Sequence, residues 1–272
     1  MTLFQNILRI FDATMKTPTL FGWFHLLCFG LTIGLAVLLT LLYKKTGSHK
    51  LTYWVVFGTA LIVTVFEIYK QINYSFSYEG GISYDYQWYA FPFQFCSTPM
   101  YIGLLTGLFR KGKIRDSLMA YLATYAMFAG LCVMFYPGDV FISTVGINIQ
   151  TMVCHGSMVT VGIYLLATGC VKLEHKTILK AIPVFACCIV MAMIMNEIAY
   201  RTGLLARETF NMFYISPYCD PHLPLYSLVQ PLLPFALEIL VYIAGFSLAS
   251  YIILLAAMGI RKLTEKKTAV AA

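Results

Sequence analysis

Residues Leu20–Tyr43 read LFGWFHLLCFGLTIGLAVLLTLLY. The run contains no Asp, Glu, Lys or Arg, and Lys44 and Lys45 close it. As a helix rising 1.5 Å per residue, it reaches about 36 Å. That is enough to cross the ~30 Å hydrocarbon core of a bilayer.

Six further runs repeat the pattern: Leu51–Tyr74, Trp88–Phe109, Asp116–Tyr136, Ile147–Val171, Thr177–Tyr200 and Val229–Ile260. The last is long enough to tilt or to extend beyond the bilayer. The reading is an all-α fold, a polytopic membrane bundle of about seven transmembrane helices. Composition agrees, with 60% hydrophobic residues and 11% charged against roughly 25% charged in soluble domains. A soluble fold cannot hide so much apolar surface, whereas lipid wets the outer face of a bundle.

Charge orients the chain. Lys44, Lys45 and Lys50 follow the first run; Arg110, Lys111, Lys113 and Arg115 follow the third. Lys172, Lys176 and Lys180 follow the fifth, and Arg261, Lys262, Lys266 and Lys267 follow the seventh. Fourteen of the 19 Lys and Arg therefore lie on one side. Glu79, Asp85, Asp139, Arg201, Arg207, Glu208 and Asp220 lie on the other. Basic loops stay in the cytoplasm, so the N-terminus is expected outside and the C-terminus inside a multi-pass protein of the cell membrane. The net charge of +7 is then a topology signal, and no nucleic-acid partner is expected.

The organisation expected is an amphipathic outer-surface segment over 1–19, one seven-helix transmembrane domain over 20–262 and a cytoplasmic tail over 263–272. In Leu3–Met15, Leu3, Phe4, Ile7, Leu8, Phe11 and Met15 share one helical face, which suits a helix lying on the surface or packed over the bundle. Residues 1–16 are not a charged stub before an apolar core, so no cleavable signal peptide is expected.

Pro92 and Pro99 interrupt the third run, Pro183 the sixth, and Pro231 and Pro234 the seventh, opening space in a bundle. Gly30/Gly34 and Gly103/Gly107 have the spacing of close helix contacts. None of the eight cysteines are spaced CxxC. Seven lie in apolar runs and Cys219 alone in a loop, so they read as small packing side chains without a disulfide.

Ionisable side chains at membrane depth are costly and mark function. Glu67, Gln94, Cys96, His155, Asn196, Glu197, Glu238 and His25 all fall three to nine residues from the outer ends of their runs. They form one layer roughly 5 to 15 Å below the outer surface, and the inner half is nearly empty of such groups. A polar cavity open toward the outer leaflet follows. Some of these groups have plainer readings: Glu67 and Lys70, spaced i,i+3, suit an ion pair, and a histidine can simply lock two helices by donating to a carbonyl. Glu197 and Glu238 suit orienting roles.

Cys96 and His155 have the chemistry of acyl transfer, in which a thiolate attacks an ester and an imidazole takes the thiol proton. Gln94 could offer an oxyanion donor. Nothing in the sequence points to a cofactor. There is no GxSxG, GxGxxG or phosphate loop, and no lysine lies between Val229 and Ile260 for a retinal Schiff base. No HxxxH or HxxE spacing supports a metal site, so none is expected.

The run Ala90-Phe-Pro-Phe-Gln-Phe-Cys96 resembles the LPL(H/Q)xC motif of the YwaF-like bacterial integral membrane proteins, a family related to the eukaryotic transmembrane protein 164 family. Val153-Cys-His155-Gly156 is similar to that family's histidine motif in the fifth span. Asn211-Met-Phe-Tyr-Ile-Ser-Pro217 and Leu223-Pro224 are similar to its loop before the last span. The resemblance covers spans two to seven and implies a seven-helix bundle. It also implies activity: the eukaryotic relatives are regarded as acyltransferases that remodel phospholipids through a cysteine, which corresponds to Cys96. More distant androgen-induced membrane hydrolases cleave fatty-acid esters with a threonine and a histidine, the latter role falling to His155. Many bacterial members carry His where this chain has Gln94, which leaves the base role to His155.

The expectation is therefore a membrane-embedded lipid acyl-transfer enzyme, a cysteine-dependent acyltransferase or ester hydrolase, acting from an outer-leaflet cavity. Its partner would be a membrane phospholipid or fatty-acyl ester. Cys96 would be the nucleophile, His155 the base and Gln94 the oxyanion donor, with Glu67, Asn196, Glu197, Glu238 and His25 lining the site. The rival readings are a carrier or binding protein for a small polar or cationic solute, using Glu67, Glu197 and Glu238, and an assembly partner of another membrane complex.

Overall fold

The computed structural model describes the chain except residues 1–2, 4, 7–8, 10–11, 78–80, 139, 204–209, 221–222, 224–225 and 272. Its helices are α1 Trp23–Thr46, α2 His49–Ser75, α3 Thr98–Leu108, α4 Lys113–Phe135, α5 Val145–Ala167, α6 Lys176–Thr202 and α7 Phe235–Ala271. A two-stranded hairpin, β1 Phe76–Ser77 with β2 Ser83–Tyr84, follows α2 with Phe76 opposite Tyr84. Four of the six side chains that define the expected surface helix, Phe4, Ile7, Leu8 and Phe11, lie outside the described residues.

All the helices except α3 are long and apolar enough to cross a membrane. The third expected span, Trp88–Phe109, differs. Its first half holds only a 3₁₀ turn, Trp88–Ala90, and the 11 residues of α3 rise about 16 Å, half of the bilayer core. Pro92 lacks an amide proton and Phe91 is extended (φ −50°, ψ 134°), so the helix begins only where Pro99 falls in its first turn. The seventh helix likewise starts at Phe235 rather than Val229, because Pro231 and Pro234 end the turn before it.

Burial sorts the helices. In their most apolar stretches, 78% of α5 is buried but only 17% of α1 and 22% of α7. Helix α5 is thus the axle and α1 and α7 are flanks whose exposed leucines face lipid. Small residues let the axle's neighbours close in: a Cβ on Gly130 of α4 would lie 2.7 Å from the His155 carbonyl oxygen, and one on Gly156 of α5 would lie 2.5 Å from Thr32 Oγ1. Of the two GxxxG pairs, only one makes a contact. Gly103 and Gly107 pack against Ala60 and Phe57, whereas Gly30 and Gly34 have open space beside them.

Tertiary contacts mark the two ends. At the end carrying the basic loops, Thr52 meets Tyr164 (2.9 Å) and Arg110 stacks over Tyr53. At the opposite end, Met15 N–H donates to the Ser143 carbonyl and Val145 N–H to the Ala13 carbonyl. This second end also gathers the long connections 76–97 and 203–234, and the polar layer lies there.

Candidate functional site

Irregular backbone inside an apolar bundle needs partners, because lipid supplies none. Two such segments meet beneath the loop-rich end: 91–97, which carries Cys96, and 210–216. Phe210, Met212, Phe213, Ile215 and Ser216 are all buried, so the chain between α6 and α7 folds inward as a plug. Side chains from three elements satisfy it. Asn196 of α6 accepts from Met212 N–H at 2.7 Å and donates back to the Met212 carbonyl at 3.0 Å. Gln94 accepts from Phe213 N–H and donates to the Asn211 carbonyl, both at 2.9 Å. Tyr242 of α7 donates to the Phe213 carbonyl. The Phe213 ring sits among Phe93, Phe95 and Phe185, with centroids about 6 Å apart.

Phe213 and Tyr214 are consecutive and both left-handed, at φ 59° and 56°. Bulky residues avoid that region, at a cost on the order of 1–3 kcal/mol each, and such strain collects at functional sites. The bonds from Gln94, Asn196 and Tyr242 over-determine the turn. Asn211 accepts from Ser216 N–H, and its own Nδ2 is buried with no partner among the described residues.

A second network ties segment 91–97 to α2. Lys70 and Glu67 form the expected i,i+3 ion pair at 2.7 Å, with both side chains mostly buried. Gln71 donates to Glu67 (2.8 Å) and to the Ala90 carbonyl (2.7 Å), and Tyr86 donates to Gln71 Oε1. Burial lifts the Tyr86 phenol above its usual range, so it stays a donor. Glu67, Gln71, Ser75, Tyr86 and Tyr101 line a cavity of about 400 Å³. Through Met100 it adjoins a narrow cleft of about 30 Å³, whose polar lining includes Cys96, Cys154 and Ser157 and whose apolar walls include Val56, Ala60, Gly103, Leu122 and Val161. Both α2 and α4 carry a π-helical turn, Trp54–Gly58 and Leu122–Ala126, and both turns flank this cleft; such turns recur at functional sites.

His155 is buried on α5, and its Nδ1 lies 2.8 Å from the Thr151 carbonyl oxygen. A carbonyl only accepts, so Nδ1 carries the proton and Nε2 keeps its lone pair. Among the described residues nothing hydrogen-bonds Nε2. Cys96 and Cys154 line the same cleft, and His155 follows Cys154 on α5.

Other residues of the expected layer lie elsewhere around the bundle. His25 accepts from Phe21 N–H through Nδ1 and donates to the Met134 carbonyl through Nε2, locking α1 to α4. Glu197 is part-exposed and bonded to Arg201 and Tyr218. Glu238 is buried and accepts from Tyr226. Asn196 and Gln94 brace the plug, Gln94 with its oxygen and one N–H already engaged. Sequence reasoning gave no role to Gln71, Cys154 or Tyr86. Gln71 stands one turn after Glu67 and Cys154 directly before His155, signals that were available; for Tyr86 there was none, because its bond to Gln71 joins a loop to a helix. Among the described residues, no three His, Cys, Asp or Glu side chains gather as a metal site.

The helices and the buried polar network define a multi-pass membrane protein with a mostly buried ion pair and two cysteines lining one cleft. A model of the TMEM164 family matches residues 20–258, and the chain belongs to that family. No curated protein and no solved structure matches it.

Proposed function

We propose that this protein is a lipid acyl-transfer enzyme of the cell membrane, of the YwaF-like bacterial branch. It crosses the bilayer seven times, with the plug and α3 together making the third crossing complete, the N-terminus outside and the C-terminus in the cytoplasm. The substrate is a membrane phospholipid or fatty-acyl ester reached from the outer leaflet. Cys96 is the nucleophile. His155 is the base, acting through Nε2. Gln94 and Asn196 are positioning residues that hold the plug beside Cys96, and the Glu67–Lys70 pair lines the approach.

The observation that carries this reading is the Nδ1 bond of His155 to the Thr151 carbonyl. It holds the imidazole in the tautomer that accepts a thiol proton, on the helix whose Cys154 shares a cleft with Cys96. A cation carrier needs free carboxylates, yet Glu67 is matched by Lys70, Glu197 by Arg201 and Tyr218, and Glu238 is bonded to Tyr226.

The test is acylation of the purified protein in nanodiscs by an activated fatty-acyl ester, followed by peptide mapping. Label on Cys96 that vanishes in His155→Ala is the expected result. Labelling that survives Cys96→Ala unchanged would overturn the reading.

A further inference from the structure

We propose that the cavity beside α2 holds the hydrocarbon chain of a membrane lipid, and that Met100 is the gate between that chain and Cys96. The inference rests on the acyl-transfer reading above and deepens it.

The two hollows differ in what they can hold. The Cys96 cleft offers about 30 Å³, room for roughly two waters, so no ester enters it as it stands. The neighbouring cavity offers about 400 Å³, within the range of small-ligand sites. Among the described residues only Met100 lines both. It is buried, and it packs with Val63 against Cys154. An unbranched methionine re-packs readily. A change of rotamer there joins the two spaces while the helices stay in place.

The walls and the opening name the occupant. Most polar groups of the wall are already bonded to protein. Glu67 is matched by Lys70 and Gln71, Tyr86 donates to Gln71, and Thr64 donates to the Ala60 carbonyl. The larger part of what remains for a ligand is apolar, from Ile68, Ile72, Pro92 and Met100. The opening follows from the short third helix. Because α3 begins only at Thr98, one side of α2 is left uncovered, and Ile68 and Tyr84 at the rim are 55% and 62% exposed. Ile68 stands seven residues before Ser75, where α2 ends, so it lies about 10 Å in from that end. Exposed surface at that depth in a membrane helix meets hydrocarbon. A lipid chain is therefore what enters a cavity opened there.

The test reads access to Cys96 rather than acylation, on the full chain in nanodiscs. N-Ethylmaleimide and N-dodecylmaleimide add to a thiol by the same reaction and differ only in chain; peptide mapping gives each rate at Cys96. Ile68→Trp fills the cavity from its exposed rim, where a larger side chain costs the fold little. It should slow N-dodecylmaleimide about tenfold or more, because the chain loses buried methylenes, and leave N-ethylmaleimide unchanged. Met100→Ala removes the gate and should speed both reagents about tenfold or more, the factor expected where the open state is a minor one. Adding Ile68→Trp should cancel that gain for N-dodecylmaleimide alone. If Ile68→Trp leaves N-dodecylmaleimide unchanged, or slows both reagents alike, the chain site is overturned. If Met100→Ala brings no gain, or a gain with N-dodecylmaleimide that Ile68→Trp does not touch, the gate is overturned. A protein that passes both tests but is never acylated by p-nitrophenyl decanoate keeps its lipid-chain site and loses the acyl-transfer reading, an outcome distinct from the others.

Discussion

Phe213 donates its backbone N–H to Gln94 Oε1 at 2.9 Å, and Gln94 returns a bond from Nε2 to the carbonyl of Asn211 at the same length. One side chain thereby couples the segment bearing Cys96 to the strained loop. Gln94→Ala leaves a buried N–H and a buried carbonyl without partners, each costing about 1–3 kcal/mol. Thermal unfolding in nanodiscs should fall accordingly. Gln94→Glu sets a carboxylate oxygen against the Asn211 carbonyl, so it should be destabilised at neutral pH and recover as acid protonates the carboxyl and restores a donor. A loss that does not change with pH would count against the bidentate clamp.

Lys70 and Glu67 form a mostly buried pair. Removing one partner strands a charge, which costs about 3–5 kcal/mol, whereas replacing both by neutral groups is far less damaging. Lys70→Met should be strongly destabilised, and Lys70→Met with Glu67→Gln should recover most of the loss. A double-mutant cycle on unfolding midpoints reads the coupling directly, and strict additivity would refute it.

Two glycines that each open a GxxxG pair separate packing from motif. Gly103→Ala puts a methyl 2.7 Å from Ala60 Cβ, whereas Gly30→Ala meets nothing within 4 Å. Overpacking of the first kind costs about 1–3 kcal/mol. Gly103→Ala should be destabilised by that amount, and Gly30→Ala should unfold within about 0.5 kcal/mol of the unsubstituted protein. A large effect at Gly30 would show a helix contact that this bundle does not make.

The two buried histidines should behave oppositely. Both ring nitrogens of His25 are spent on backbone, joining α1 to α4, so His25→Ala should lower the unfolding temperature and leave the rate of Cys96 acylation per folded molecule intact. His155→Ala loses one bond to its own helix and should change stability by about 1 kcal/mol, but it should abolish acylation. Finding acylation lost in His25→Ala would bring α1 into the site.

Hydropathy and charge by themselves determined that this chain is a membrane bundle, where six of its helices run and how far along each helix its polar residues lie. Those properties are one-dimensional: each residue adds 1.5 Å to a helix whose apolar length is read directly. The i,i+3 pairing of Glu67 with Lys70 was legible for the same reason. The third span was not read correctly, because Phe91, Phe93 and Phe95 are apolar to pack around the plug rather than to build a helix, and hydropathy does not distinguish the two. Only the tertiary structure decided which residues of the polar layer meet. His25, Glu197 and Glu238 stand about as far along their runs as Gln94 and Asn196 but bond elsewhere, since direction around a bundle depends on which helices are neighbours. The inward fold of 210–216 was equally invisible in sequence: its bonds to Gln94, Asn196 and Tyr242 span long stretches of chain, and no local pattern encodes them.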